Sequence, residues 1–306
     1  MILSCGEALI DMLPRETGQG EAAFAPFPGG AVFNTAIALG RLGVPSAFFS
    51  GLSEDLFGEM LSRALIESRV DAAYAAVSDR PTTLAFVTLK NGQAKYAFYD
   101  ENTAGRMLQT TDLPVLGDEV EAVFFGGISL AVDPCGATYE TMMEHEAAHR
   151  VTMIDPNIRP TFIRDEPAYR ARIGRMIAVS DIVKLSDEDL HWLEGAGDIS
   201  DLANGLLARG PELVLITRGS DGASGFTASG EVRVGATKVE VVDTVGAGDT
   251  FNAGVLASLH KAGALTKAAL ANLDDATIEA ALTLGSRAAG ITVSRAGANP
   301  PWESEI

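Results

Sequence analysis

Runs of consecutive apolar, β-rich residues recur along this chain: ILSCG at 2–6, SAFFSG at 46–51, EAVFFGG at 121–127, VTMID at 151–155, DIVKLS at 181–186 and ELVLIT at 212–217. Strands that are apolar at nearly every position suit a parallel sheet covered on both faces. The segments 31–43, 55–69, 136–150, 165–179 and 198–209 carry helical patterns and are long enough for right-handed crossovers. This rhythm predicts an α/β fold. Two stretches break it. Residues 82–89 (TTLAFVTL) and 94–99 (AKYAFY) are β-patterned and joined by KNGQ, where Asn91-Gly92 suits the positive φ angles of a tight hairpin turn. Residues 12–28 hold three Pro and little helical pattern. Together, about 12–28 and 82–103 predict a small antiparallel β lid inserted into a single domain spanning 1–306.

The composition narrows the function classes. With 306 residues, 47% of them hydrophobic and 21% charged, the chain can bury a substantial core. Its 23 Lys and Arg against 41 Asp and Glu leave a formal charge of −18, so phosphate backbones and anionic lipid are poor partners. No nucleic-acid or membrane association is expected. Cys5 and Cys135 have no metal or redox spacing. Residues 1–14 contain Glu7 and Asp11 and no Lys or Arg, unlike a secretory signal. No apolar run approaches the roughly 18 residues of a membrane span. These features together predict a cytoplasmic location.

The segment richest in chemistry is VEVVDTVGAGDTFNAGVLASLH, 239–260, where a β-branched run meets a Gly-rich turn and then an apolar-periodic helix. Gly246, Ala247 and Gly248 have almost no side chains, so an anion can approach the amides of a helix N-terminus. Asp249, in the first turn, reads equally well as a helix cap or as a general base beside a bound phosphate. Two other phosphate signatures fail. No Lys follows a Gly, which excludes a P-loop, and Phe251 stands where a dinucleotide fingerprint needs a small residue.

A second Gly pair precedes a helix in FPGGAVFNTAIALGRLG, 27–43. Gly29 and Gly30 serve either tight helix-on-sheet packing or the admission of a small polar ligand, with Asp11 and Asn34 binding its hydroxyls. HEAAH at 145–149 has the zincin spacing, His145 and His149 sharing a helical face with Glu146 as nominal base. Its apolar arc runs through Tyr139, Met142, Met143 and Ala147, with both His on the polar flank and no third ligand following. A solvated crossover helix is expected there, and a metalloprotease is not.

In order along the chain, Gly6-Glu7 and Asp11, Gly29-Gly30 to Asn34, GLSEDLFG at 51–58, DPNIRP at 155–160, KLSDED at 184–189, TRGSDG at 217–222, DTVGAGD at 243–249 and SRAGANP at 294–300 resemble the PfkB, or ribokinase-like, family of carbohydrate kinases. GEALIDM, KLSDED and YAFYDENTAGRML are most similar to bacterial fructokinases. The resemblance implies a three-layer α/β/α body with a mainly parallel sheet and a β lid over the sugar. It implies an ATP:sugar phosphotransferase with Asp249 as base and the Gly246–Asp249 amides, Gly246, Ala247 and Gly248 among them, as anion hole. Asp11, Gly29, Gly30, Asn34, Asn102 and Arg159 would bind sugar. Lys184, Thr217, Gly219, Ser220, Gly222 and Gly248 would lie along ATP. Fructose leads as substrate, followed by 2-keto-3-deoxygluconate, ribose and other ketoses or nucleosides. A noncatalytic sensor on the same fold is a competing class, but the intact Asp249 favours catalysis.

Mg2+ is implied as the partner of the triphosphate. Many relatives carry N-x-x-E after this strand, whereas this chain reads Ser186-Asp187-Glu188-Asp189, which leaves Glu188 and Asp189 as candidates for the organising carboxylate. Asp243, Val245 and Gly297 match positions that supply oxygens to a monovalent cation, K+, in some relatives. Arg159, Lys184 and Arg218 are positive groups available to offset ATP charge. Exposed lid edges are consistent with a homodimer.

Overall fold

The computed structural model describes residues 1–90 and 93–306. The turn expected at Asn91-Gly92 lies outside the described residues. The chain starts in the body with β1 (Ile2–Cys5), leaves it as β2 (Leu9–Glu16) and β3 (Ala22–Gly29), and returns through α1 (Ala31–Arg41) to β4 (Ser46–Phe49). The short strand β5 (Gly51–Ser53), α2 (Leu56–Glu67), β6 (Val70–Asp71) and β7 (Ala76–Ser78) lead to a second excursion, β8 (Leu84–Lys90) and β9 (Gln93–Tyr99). Alternation follows through β10 (Ala122–Gly126), α3 (Cys135–Glu146), β11 (Val151–Asp155), α4 (Glu166–Val179), β12 (Ile182–Ser186), α5 (Asp187–Glu194), α6 (Ile199–Leu207) and β13 (Leu213–Thr217). Then come β14 (Ala223–Thr227), β15 (Gly230–Val234), α7 (Ala247–Lys261), α8 (Lys267–Leu270) and α9 (Asp275–Val293).

Nine strands form the main sheet in the order β15-β14-β13-β12-β11-β10-β1-β4-β6. Pairs from β6 to β13 are parallel, and β14 and β15 add antiparallel pairs at one edge. Successive side chains on a strand point to opposite faces. Phe48, Phe124, Met153, Ile182 and Leu215 accordingly enter one core with α1, α2, α7 and α9. Their neighbours Phe49, Phe125, Ile154, Val183 and Ile216 enter a second core with α3, α4, α5 and α6. This double burial is the physical reason for the uninterrupted apolar runs. The β14–β15 edge has no such run: ASGFT and GEVRV are short, each contains Gly, and β15 is largely exposed.

The second sheet has the order β3-β2-β8-β9. Its two hairpins are antiparallel, but β2 and β8 pair in parallel, so the sheet is mixed where an antiparallel one was expected. Both strands run outward from the body before the chain turns back, which makes them parallel at the seam. One face carries Asp11 and Phe98, the latter edge-to-face with Phe162 of the body at 5.0 Å. The other carries an edge-to-face aromatic row, Phe24–Phe86–Tyr99, with ring centroids 5.0 and 5.5 Å apart.

Helix α7 is held at its middle by α9. A Cβ on Gly254 would lie 2.6 Å from the Gly285 Cα, so the two backbones touch where neither has a side chain. Gly254→Ala overpacks this crossing and is expected to destabilise the fold by about 1–3 kcal/mol. Urea denaturation should show a lower midpoint with an unchanged slope; an unaltered midpoint would contradict the close approach.

Candidate active site

Along the main sheet the strand order reverses between β1 and β10, and ligand crevices in such sheets open beyond the carboxyl ends of the strands at that point. Glu7 fills the floor of this crevice. Its carboxylate accepts the Ala31 amide at the start of α1 at 2.8 Å and the Ser129 amide at 3.4 Å, and a Cβ on Gly127 would lie 2.2 Å from its oxygens. Burial raises the Glu7 pKa, and those amides oppose the rise. Sequence reasoning noted Glu7 only as part of a motif. Its signal is an acid placed directly after a buried strand.

The base of α7 lies opposite. Gly246 has φ +79°, a left-handed conformation, and ends the turn before the helix. Asp249 is 7% exposed, and its carboxylate does not cap its own helix: Oδ2 accepts from Asn34 Nδ2 at 2.9 Å. The capping alternative is thereby removed. Thr35 Oγ1 also donates to the Asp249 carbonyl at 3.2 Å, so α1 grips the first turn of α7 at two points. Burial is the main cause that pushes the Asp249 carboxyl up to about 7; the Asn34 bond opposes it, Asp155 adds to it, and Lys184 and Arg159 oppose it. A carboxyl poised near neutrality suits a general base.

Lys184, in the middle of β12, reaches beneath the same turn. Its Nζ donates to Asp155 Oδ2 at 2.9 Å, and a Cβ on Gly248 would stand 3.1 Å from that nitrogen. Asn252 Nδ2 donates to the same Asp155 oxygen at 2.7 Å. Asp155 and Asn252 lie within DPNIRP at 155–160 and DTFNAG at 249–254, yet nothing local marks them as partners 97 residues apart. Asp189, whose amide is capped by Ser186 Oγ, is raised to about 6, first by burial and then by the Asp155 charge, with Lys184 opposing. Glu188 is exposed on the same helix. Of the two candidate carboxylates, Asp189 is therefore the more buried and the one whose ionisation the Asp155 and Lys184 charges affect.

On the four-stranded sheet, Asp11 packs against Gly29, where a Cβ would lie 2.3 Å from Oδ2, and burial raises its carboxyl to about 6. Gly30 has φ +111°, and a Cβ there would meet the Glu7 carbonyl oxygen at 2.8 Å. Both glycines are thus required by close packing, and Asn34 belongs to the site through Asp249. Arg159 is exposed and bonds carbonyls of its own loop, although its charge lowers the pKa of both Asp189 and Asp249. Asn102 occupies an exposed turn after β9 with φ +59°, and no hydrogen bond ties its side chain to the other predicted residues.

Thr217 ends β13, Gly219 and Ser220 are exposed in the following turn, and Gly222, at φ +91°, closes against β15. Arg218 bonds Ser224 and pairs with Glu231 at 3.6 Å, while its Nε has no partner among the described residues. Asp243 accepts the Val245 amide at 3.0 Å and the Gly297 amide at 2.9 Å, joining the two loops whose carbonyls were expected to meet a cation. The HEAAH helix ends any zincin reading. Glu146 is buried and bonded to Arg150, its other oxygen lies 2.9 Å from His145 Nδ1, and the His145 side chain is 75% exposed. Among the described residues no group of three or more His, Cys, Asp or Glu could hold a metal, and no helix is long and apolar enough to cross a membrane.

A small-residue turn, a buried acid and a buried ammonium thus converge at the mouth of a sheet. The family model described as pfkB family carbohydrate kinase matches residues 1–305. The chain belongs to this family. This pfkB chain is 60% identical to a fructokinase of Rhizobium leguminosarum bv. trifolii over 90% of its length and 84% of the relative's. It is 32% identical to a probable fructokinase-7 of Arabidopsis thaliana over 99% and 90% of the two chains. Among solved structures, the fructokinase of Xylella fastidiosa with bound ATP superposes with a TM-score of 0.88 at 27% identity, covering 97% of this chain and 93% of the other. A fructokinase double mutant of Vibrio cholerae, bound to fructose, ADP and a potassium ion, gives 0.85 at 25% identity over 97% and 93%. The ribokinase-like three-layer architecture expected from the sequence is borne out.

Because the Asp249 carboxyl is raised in the fold above its unfolded value, ionising it opposes folding, and stability is lost as pH climbs through about 7. Asp249→Asn removes that cost. Thermal denaturation should find the variant more stable than the parent by at least about 1 kcal/mol near pH 8, with the gap narrowing toward pH 5. A variant of lower stability at pH 8 would contradict the unfavourable burial.

Proposed function

We propose that this chain is an ATP-dependent fructokinase that transfers the γ-phosphoryl group of ATP to a hydroxyl of fructose. The observation that carries the chemistry is the buried Asp249 carboxylate beside the amide-rich turn of α7. The relatives named fructokinase support the choice of sugar. Asp249 takes the proton of the attacking hydroxyl as the new O–P bond forms, and the bond from the γ-phosphorus to the bridging oxygen breaks to release ADP. The amides of 246–249 and the Lys184 ammonium stabilise the charge on the transferring group, which is where a loose phosphoryl transition state needs help. Asn34 holds Asp249, while Asp11 and Arg159 contribute to sugar binding. The four-stranded sheet excludes water that would otherwise take the phosphate.

The residues present fit a hydrated Mg2+ that is bound mainly through phosphate oxygens: a single partly buried carboxylate, Asp189, faces the cluster, and no dedicated cage is needed. Magnesium bound there would neutralise phosphate charge. A monovalent cation fits between the loops that Asp243 ties together, consistent with the potassium ion in the Vibrio cholerae structure. Two free, buried thiols suit a cytoplasmic location. The outward aromatic face of the lid, with Phe24 42% and Tyr99 63% exposed, is the surface through which a second copy would pair.

With Mg-ATP and a panel of sugars, ADP release should be fastest with fructose. Asp249→Asn should lower kcat by about 10²–10⁴-fold while leaving ATP binding intact. Near-normal turnover in that variant would remove Asp249 as base, and a higher kcat/KM for 2-keto-3-deoxygluconate would remove the fructose label but keep the kinase. Sedimentation should show a dimer that Phe24→Lys converts to monomer; a monomeric parent protein would refute pairing through the lid.

A further inference from the structure

Beneath the anion-binding turn lies a polar cluster that the proposed chemistry uses only in part. The Lys184 and Asp155 side chains are 3% and 2% exposed, and Asn252 is 1% exposed. Asp155 accepts three hydrogen bonds: Oδ1 takes the Asn157 amide at 3.1 Å, while Oδ2 takes both Lys184 and Asn252. The ammonium has three hydrogens, and Asp155 is its one partner among the described residues. The other two are left for a ligand, and Gly248 stands over the nitrogen without a side chain.

Asn252 is the informative residue. It is on α7 itself, three positions after Asp249, so it links the helix that forms the anion turn to the carboxylate that holds the ammonium. Its Oδ1 is buried with no partner among the described residues. A residue needed only to fill that space would be better served by an apolar side chain of similar volume, because an orphaned buried acceptor opposes folding. Reversing the amide would set Oδ1 against the Asp155 carboxylate, so its donor must face Asp155. We propose that Asn252 and Asp155 are positioning residues that aim the Lys184 ammonium at the phosphoryl group held on the first turn of α7. This rests on the phosphoryl-transfer reading above. Asn252 restrains the Asp155 carboxylate, Asp155 restrains Lys184, and both restraints move with the turn they serve.

The test is a kinetic double-mutant cycle between Asn252→Leu and Lys184→Gln at saturating Mg-ATP and fructose, with the stability of each variant measured alongside. Gln at 184 keeps a donor to Asp155 and loses the charge. Asn252→Leu should lower kcat by about 10–100-fold, less than the direct loss of a transition-state donor. KM for fructose should stay within about twofold, since the ammonium acts on the transferring group and not on the ground-state sugar. In the Lys184→Gln background, Asn252→Leu should have no further effect on kcat. Additive losses, or an unchanged kcat in the single variant, would overturn the inference. Asp155→Asn, which preserves volume, is carried through the same cycle and must show the same non-additivity; it decides the matter should Asn252→Leu fail to fold. A parent protein with no sugar-dependent ATP turnover would sink the kinase reading itself, whereas an active parent with additive losses would sink only the positioning role.

Discussion

Everything at the site depends on keeping one carboxylate out of water without neutralising it with a permanent charge. Asp249 is buried at the start of α7 and receives a single neutral donor from Asn34. A direct Lys or Arg contact would hold a carboxyl low and make it a weak base. An amide fixes its direction while leaving its proton affinity high. The positive charge is instead kept one step away on Lys184, where Asp155 balances it. In the proposed reaction the acid and the ammonium thereby serve different ends, with Gly248 between them.

The fold supplies that arrangement through two helices and a sheet. Helix α1 follows the four-stranded sheet and carries Asn34 and Thr35 near its start; α7 carries the turn, Asp249 and Asn252. Glu7 fastens the first helix to the switch point by its own N-terminal amide, and the Gly254–Gly285 contact seats the second against α9. Both helices lie on one face of a sheet that is apolar on each side, so neither can shift without disturbing packed core. The site inherits its rigidity from those contacts, and not from the exposed loops that surround it.

Much of this was legible in the sequence. Uninterrupted apolar runs announce strands buried on both faces, and a turn made of Gly and Ala before a helix announces a place for an anion. The cap-or-base ambiguity of Asp249 could not be resolved locally, because the deciding partner, Asn34, is 215 residues away. The Asp155–Lys184–Asn252 cluster was hidden for the same reason: each member looks ordinary beside its neighbours, and only the crossovers bring them together. The choice between Glu188 and Asp189 turned on which side of a short helix faces inward, a question of phase that four consecutive polar residues do not answer. The β14–β15 edge escaped notice because ASGFT is interrupted by Ser and Gly and GEVRV alternates over only four residues.

The parallel seam between β2 and β8 has a mechanical meaning. Each hairpin of the small sheet is tethered to the body at both of its ends, through residues just before Leu9, at Gly29-Gly30, before Leu84 and after Tyr99. A plate fastened by four cords cannot peel from one corner; it tilts as a whole or stays put. Asp11 rides on that plate, and Gly30 lies on a cord that continues directly into α1. Asp11 and the approach to α1 are therefore carried by one tethered sheet, so any tilt of that sheet moves the acid and the entry to the Asn34 helix as a unit.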